Sequence, residues 1–288
     1  MVTTNKAGAG RHLLAGRRVV MVLALAAAAS LHPARTAQAV TIADPTARGE
    51  VVETTFKSVD ATVAAQWEFP ARTPAPLVVL IPASEALDRH GLPPGYGADL
   101  DTGIYAQLAK RLVAAGFAVF RFDSPGTGRS SPGRYATVRS NALEAYTHAV
   151  EHAKVDPDKV FLFGHAWGTD TIVGIYSRYA QVKPPAGVIL FSNMVGETDI
   201  VQVDAPTLIV VSDKLPDDLY QRGRFPADAR DNFKDKKLET KLVTIPAAEP
   251  TLLAPVEKSG GGKNMLLDPR AVDAVIEWLQ AHTGGTPT

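Results

Sequence analysis

The sequence predicts an α/β fold, a mostly parallel sheet layered between helices on both faces. Three observations carry this expectation. Short apolar runs without alternation (LVVLIP at 77–82, FAVFRF at 117–122, VFLF at 160–163, GVILFS at 187–192, TLIVVS at 207–212) read as strands buried on both faces. Between them lie longer stretches with helical spacing. Ahead of them, two alternating segments form an antiparallel hairpin.

In chain order, VVETTFKSV and ATVAAQWEF, 51–59 and 61–69, are the hairpin strands, with Asp60 at the bend. LVVLIP follows, bounded by prolines that close a short buried strand. In IYAQLAKRLVAAG, Ile104, Leu108, Leu112 and Val113 share one helical stripe that ends at Gly116. FAVFRF is the next strand and DSPGTGRSSPG a turn. ALEAYTHAVEHAKV (142–155) is helical, VFLF a strand and TDTIVGIYSRYA (169–180) a helix. GVILFS, TLIVVS and LVTI (242–245) are strands, the last of them final, and PRAVDAVIEWLQAH (269–282) closes the chain as a helix. No internal repeat is present, and the run Gly260 to Gly262 reads as a mobile loop.

At 288 residues and 45% hydrophobic, the chain can bury one sizeable core. Lys plus Arg equals Asp plus Glu at 30 each, so no net field draws in nucleic acid or an anionic membrane. Residues 1–39 read as an export signal: a basic start, an apolar run from Val19 to Ala29 too short to span a bilayer, and small residues at Ala37 and Ala39 before a cut. The pair Arg17-Arg18 before that run fits a twin-arginine signal. The expected product is a single domain, 40–288, in the bacterial periplasm or outside the cell, with no stable membrane span after cleavage. With no cysteine, it has no disulfide and no thiol nucleophile.

Several segments in order carry a resemblance: PASEALDRHG (82–91), LAKRLVAAGFAVFRFDSPGTGRS (108–130), VDPDKVFLFGHAWG (155–168), and the final strand and helix. With them the chain resembles the α/β-hydrolases, in particular the serine aminopeptidase-like and esterase-like branch. The resemblance implies that branch's fold with little or no lid, because the insert NMVGETDIVQVDAP (193–206) is brief. A shallow, open cleft is expected, suited to a large ligand or a protein surface.

The resemblance also implies a Ser, an acid and a His in chain order. The elbow pattern Gly-x-Ser-x-Gly reads Gly164, His165, Ala166, Trp167, Gly168, so the nucleophile position holds a methyl group. The acid position falls on Leu215, with Asp213, Asp217 and Asp218 nearby, and the His position on Pro250. The loop that reads Gly-Ser-Gly-Pro in relatives reads Ala83, Ser84, Glu85, Ala86, which sets a carboxylate beside the place of developing negative charge. No cofactor motif is present.

The expectation is therefore a non-catalytic member, a pseudoenzyme, that binds a small molecule or protein at the old cleft. Ser84, Glu85, Ser124, His165, Trp167, Leu215 and Pro250 are its candidate cleft residues. The alternative is an active serine-type ester or peptide hydrolase with a rebuilt site, in which Ser84, Ser124, Ser192, Ser212 or an aspartate takes over with His90 or His165 as base. Asp123 is expected to brace its turn. Glu144, His148 and His152 recur at four-residue steps on one helix, but without a further ligand they predict a solvated face and no metal site. KDKKLETK likewise reads as a solvated face.

Overall fold

The computed structural model describes residues 49–92, 103–214, 216–233, 239–257 and 263–284. Residues 1–39, read above as an export signal, Leu215, Gly260 to Gly262 and part of KDKKLETK lie outside the described residues.

β1 (Val51–Ser58) and β2 (Ala61–Glu68) form the antiparallel hairpin. Asp60 at its bend accepts from the backbone N–H groups of Arg134, Tyr135 and Ala136, which ties the hairpin to a distant loop. β3 (Ala75–Ile81), β4 (Ala118–Phe122), β5 (Val155–His165), β6 (Gly187–Phe191), β7 (Thr207–Ser212) and β8 (Thr240–Ile245) complete an eight-stranded sheet in the order β1-β2-β4-β3-β5-β6-β7-β8. Pairing is parallel from β4 through β8, and β2 joins β4 antiparallel.

The continuous apolar runs follow from burial on both sides, since successive side chains on a strand point to opposite faces. In β3, Leu77, Val79 and Ile81 join one core with α2 (Val138–Val150), α3 (Trp167–Gly174) and α4 (Tyr176–Val182). Val78 and Leu80 join the other with α1 (Ile104–Ala114) and α8 (Pro269–Thr283). α8 starts where sequence chemistry places a start, with Asp268 as cap, accepting from Arg270 N–H, and proline in the first turn. Gly284 at φ 72° ends it in the left-handed conformation.

Four readings are corrected. The helix expected to run through 155 stops at Val150, because Val155 pairs with Ala75 as the first residue of β5. The single helix at 169–180 is two, broken at Ile175 (φ −129°, ψ 23°). LVTI does not hold the last strand: β9 (Leu253–Glu257) and β10 (Lys263–Leu267) pair as a separate antiparallel ribbon. Between β6 and β7 lies only the short α5 (Glu197–Ile200), whereas the segment after β7 is helical, which the sequence reading did not foresee. There α6 (Pro216–Leu219) passes through a π-helical stretch (Tyr220–Arg224) into α7 (Phe225–Asp231). Among the described residues, no helix is long and apolar enough to cross a membrane.

Candidate functional site

The end of β5 hands over to α3 within a few residues, and two glycines make this possible. A Cβ on Gly164 would lie 2.7 Å from the Gly168 carbonyl carbon, and one on Gly168 would lie 2.5 Å from the Ile81 oxygen. Between them Ala166 is held at φ 48°, ψ −114°. A non-glycine residue there is strained by about 1–3 kcal/mol, so the surroundings must impose it. The Ala166 N–H donates to Phe191 O at 2.9 Å, and its carbonyl accepts from Thr169 Oγ1 at 2.7 Å. Trp167 opens α3 with its side chain 62% exposed, beside the apex and out of the core.

His165, one residue earlier, is buried. Its Nε2 lies 3.1 Å from Thr251 O and its Nδ1 3.2 Å from Tyr105 Oη. A carbonyl can only accept, so Nε2 carries the proton and Nδ1 accepts from the tyrosine hydroxyl. Tyr105 Oη in turn accepts from Ala83 N–H at 2.7 Å. Burial pulls the His165 pKa down to about 4, only partly opposed by the Thr251 bond. The ring is therefore a neutral brace that ties the end of β5 to α1 and to the segment after β8, and through Tyr105 to the loop after β3. Placing it among the cleft residues, or as a base, is corrected by this burial.

In the loop after β3, Ser84 is half-buried and Glu85 exposed. Ser84 Oγ accepts from Ala86 N–H at 3.1 Å. No histidine is hydrogen-bonded to Ser84 among the described residues. His90 is buried, with Arg121 Nη1 donating to its Nδ1 at 3.2 Å. Burial first, then the charges of Arg121 and Arg89, bring its pKa down to about 4. Arg121 also pairs with Glu68, and Arg89 with Glu53 at 2.8 Å. Asp123 accepts from Arg89 N–H at 2.9 Å and Arg129 N–H at 2.8 Å, so it braces its turn. Ser124 is fully buried, which removes it from the cleft residues.

The segment after β8 is fastened down by side chains from neighbouring strand ends. Ser192 Oγ donates to Pro250 O at 2.9 Å, and Ser212 Oγ to Ala248 O at 2.5 Å. Asp213 accepts from Ala247 N–H at 2.6 Å, and His165 holds Thr251. Thus Ser192 and Ser212 spend their protons on backbone carbonyls. Pro250 is half-buried at the rim of a shallow depression that it shares with Asn193, Val211, Ser212, Asp218 and Arg222. Asp217 is exposed, and Asp218 pairs with Arg222 Nε at 3.2 Å. The sequence reading overlooked Arg222 and Tyr105. The four-residue step from Asp218 to Arg222 was the available signal for the first.

His148 stacks on Phe56, with ring centroids 5.9 Å apart, and His152 packs on Trp67 at 4.5 Å and Phe69 at 4.9 Å. Glu144 points to solvent. Among the described residues, no group of three His, Cys, Asp or Glu side chains is placed to hold a metal.

Residues 96–247, more than half of the chain, match the family described as serine aminopeptidase, S33. No curated protein matches. Among solved structures, the chain is similar to a carboxyl esterase from Bacillus coagulans, described as highly thermostable, with a TM-score of 0.56 at 12% identity. That likeness covers 80% of this chain and 98% of the esterase. It is also similar to the dienelactone hydrolase-like promiscuous phosphotriesterase P91 from metagenomic libraries (0.55, 17%, covering 81% and 99%). A third is XC6422 from Xanthomonas campestris, described as an α/β serine hydrolase without lid (0.52, 17%, covering 83% and 97%). At such identities these likenesses establish the fold. The strand order, the glycine-flanked turn and the family match together place the chain among the α/β hydrolases, as a member of the serine aminopeptidase S33 family.

Proposed function

We propose that this chain is an exported member of the family that does not hydrolyse esters or peptides and instead binds a small molecule or protein at the former cleft. One observation carries the reading: the apex of the strand-to-helix turn, strained as a nucleophile's backbone would be, is an alanine. Without an oxygen or sulfur there, no acyl intermediate forms on that turn. The fastening of residues 247–251 supports the same reading. The segment where relatives carry the general base presents Pro250, and the nearest buried imidazole, His165, has both nitrogens engaged. The open surface around Trp167 and the short connection between β6 and β7 support binding in place of enclosed chemistry. Export rests on residues 1–39 alone.

The test is turnover of short- and medium-chain aryl esters by the purified protein, by Ala166→Ser and by Ser84→Ala. All three are expected to remain at the uncatalysed rate, since a restored hydroxyl at 166 still lacks a base. Hydrolysis by the natural protein that disappears in Ser84→Ala would establish the rebuilt hydrolase and end the non-catalytic reading.

A further inference from the structure

Arg222 lines the depression at the C-terminal ends of β6 and β7, and its hydrogen bonds are unevenly matched. Nε pairs with Asp218 Oδ1 at 3.2 Å, but Nη1 is directed at the thioether sulfur of Met194, 2.8 Å away. A thioether is a weak acceptor, whereas a guanidinium presents a planar fork suited to two carboxylate oxygens. The arginine is well held for such a task. It lies in the π-helical stretch, and its carbonyl accepts from Asn193 Nδ2 at 2.6 Å. π-Helical stretches of this kind recur at functional sites.

The rest of the depression offers little competition. Ser212 donates its proton to Ala248 O, and Asn193 is occupied with the backbone of Val195 and Arg222. Val211 and Pro250 contribute apolar wall. Met194 N–H donates to Thr169 Oγ1 at 3.0 Å, which sets the Met194 and Arg222 pair against the first turn of α3. That turn begins with the exposed Trp167 ring.

We infer that Arg222 forms a carboxylate subsite in the old cleft, taking a small organic monocarboxylate. The outer edge of the guanidinium clasps the carboxylate in place of the Met194 sulfur, and the apolar remainder of the ligand lies toward Trp167. Asp218 on the other edge disfavours polyanions such as phosphate, which selects a single negative charge. This inference rests on the non-catalytic reading above and names the ligand class for the same site.

Calorimetric titration of the full chain with 4-phenylbutyrate, its primary amide and its methyl ester tests it. The acid is expected to bind about tenfold or more tightly than the neutral amide, the worth of a charge-assisted pair. Arg222→Gln removes that preference, and Arg222→Lys, which keeps the charge and a partner for Asp218, weakens acid binding less. Trp67 and Trp278 are each 1% exposed, so intrinsic fluorescence offers Trp167 as a second reporter, and Trp167→Ala weakens acid and amide alike. Equal affinity for acid and amide, no binding of either, or undiminished acid binding in both Arg222 variants would overturn the subsite. Turnover of the methyl ester would instead overturn the non-catalytic reading, while the acid-to-amide ratio still reports on Arg222.

Discussion

Acidification destabilises this fold through His165, and the size of the effect follows from its surroundings. The ring is 3% exposed and neutral, with a pKa near 4 against 6.5 for a free imidazole. Between those values the unfolded chain binds a proton that the folded chain refuses. The stabilising contribution of the neutral ring is therefore complete above about pH 6.5 and is lost as pH falls toward 4. From about pH 7 to about pH 5 this linkage amounts to about 2 kcal/mol for His165 alone. The perturbation is His165→Gln, which keeps a donor for Thr251 O and does not titrate. Urea unfolding of both proteins at the two pH values gives the difference. His90, also held near 4, remains in both and cancels. The variant is expected to be less stable than the natural protein near pH 7 and to lose about 2 kcal/mol less on acidification. Equal acid sensitivity of the two proteins would refute the assignment of His165 as a buried neutral brace.

Two more predictions concern the frame of the site. Gly168→Ala places a methyl group 2.5 Å from the Ile81 carbonyl oxygen in a junction with no room, and lowers stability by about 3 kcal/mol in thermal or urea unfolding. Survival of the variant with an unchanged midpoint would mean that β3 and α3 are less tightly apposed than described. Asp123→Ala strips Arg89 and Arg129 N–H of their acceptor and leaves buried Arg89 with one carboxylate fewer, at a cost of about 3 kcal/mol. Retention of natural stability would contradict the bracing role.

Much of the sheet was legible in the sequence because burial on both faces leaves an unmistakable mark. Runs such as LVVLI and GVILF have no polar alternation, and their order with intervening amphipathic helices restricts the topology. The elbow was legible because only glycine fits at 164 and 168. The helical segment at 216–231 escaped notice because Pro216, Gly223 and Pro226 read as loop. Tertiary contact overrides that preference: Gly223 is buried so closely that an added Cβ would sit 3.1 Å from Val211 Cγ2. At Ile175 the local mark is the single Gly174 just before it, a glycine that a helix interior tolerates, and that glycine lies under the Arg139 guanidinium. In the candidate site, sequence offsets found the positions but not their directions. Ser124 and His165 sit at strand ends as expected, yet face inward, and side-chain direction at an irregular strand end depends on contacts far along the chain.

The strained apex at Ala166 carries a lesson about inheritance. Its contorted backbone is dictated by Gly164, Gly168 and the tie to Phe191, all of which belong to the crossing of a strand into a helix. Chemistry does not have to be present for that crossing to persist, because loosening it would pry α3 off the sheet. Serine and alanine at the apex differ by one oxygen, whereas the bend itself is anchored by the packing of the whole layer. The bend is therefore specified by packing and not by what its apex carries, and recognising it in a structure diagnoses ancestry before it diagnoses activity.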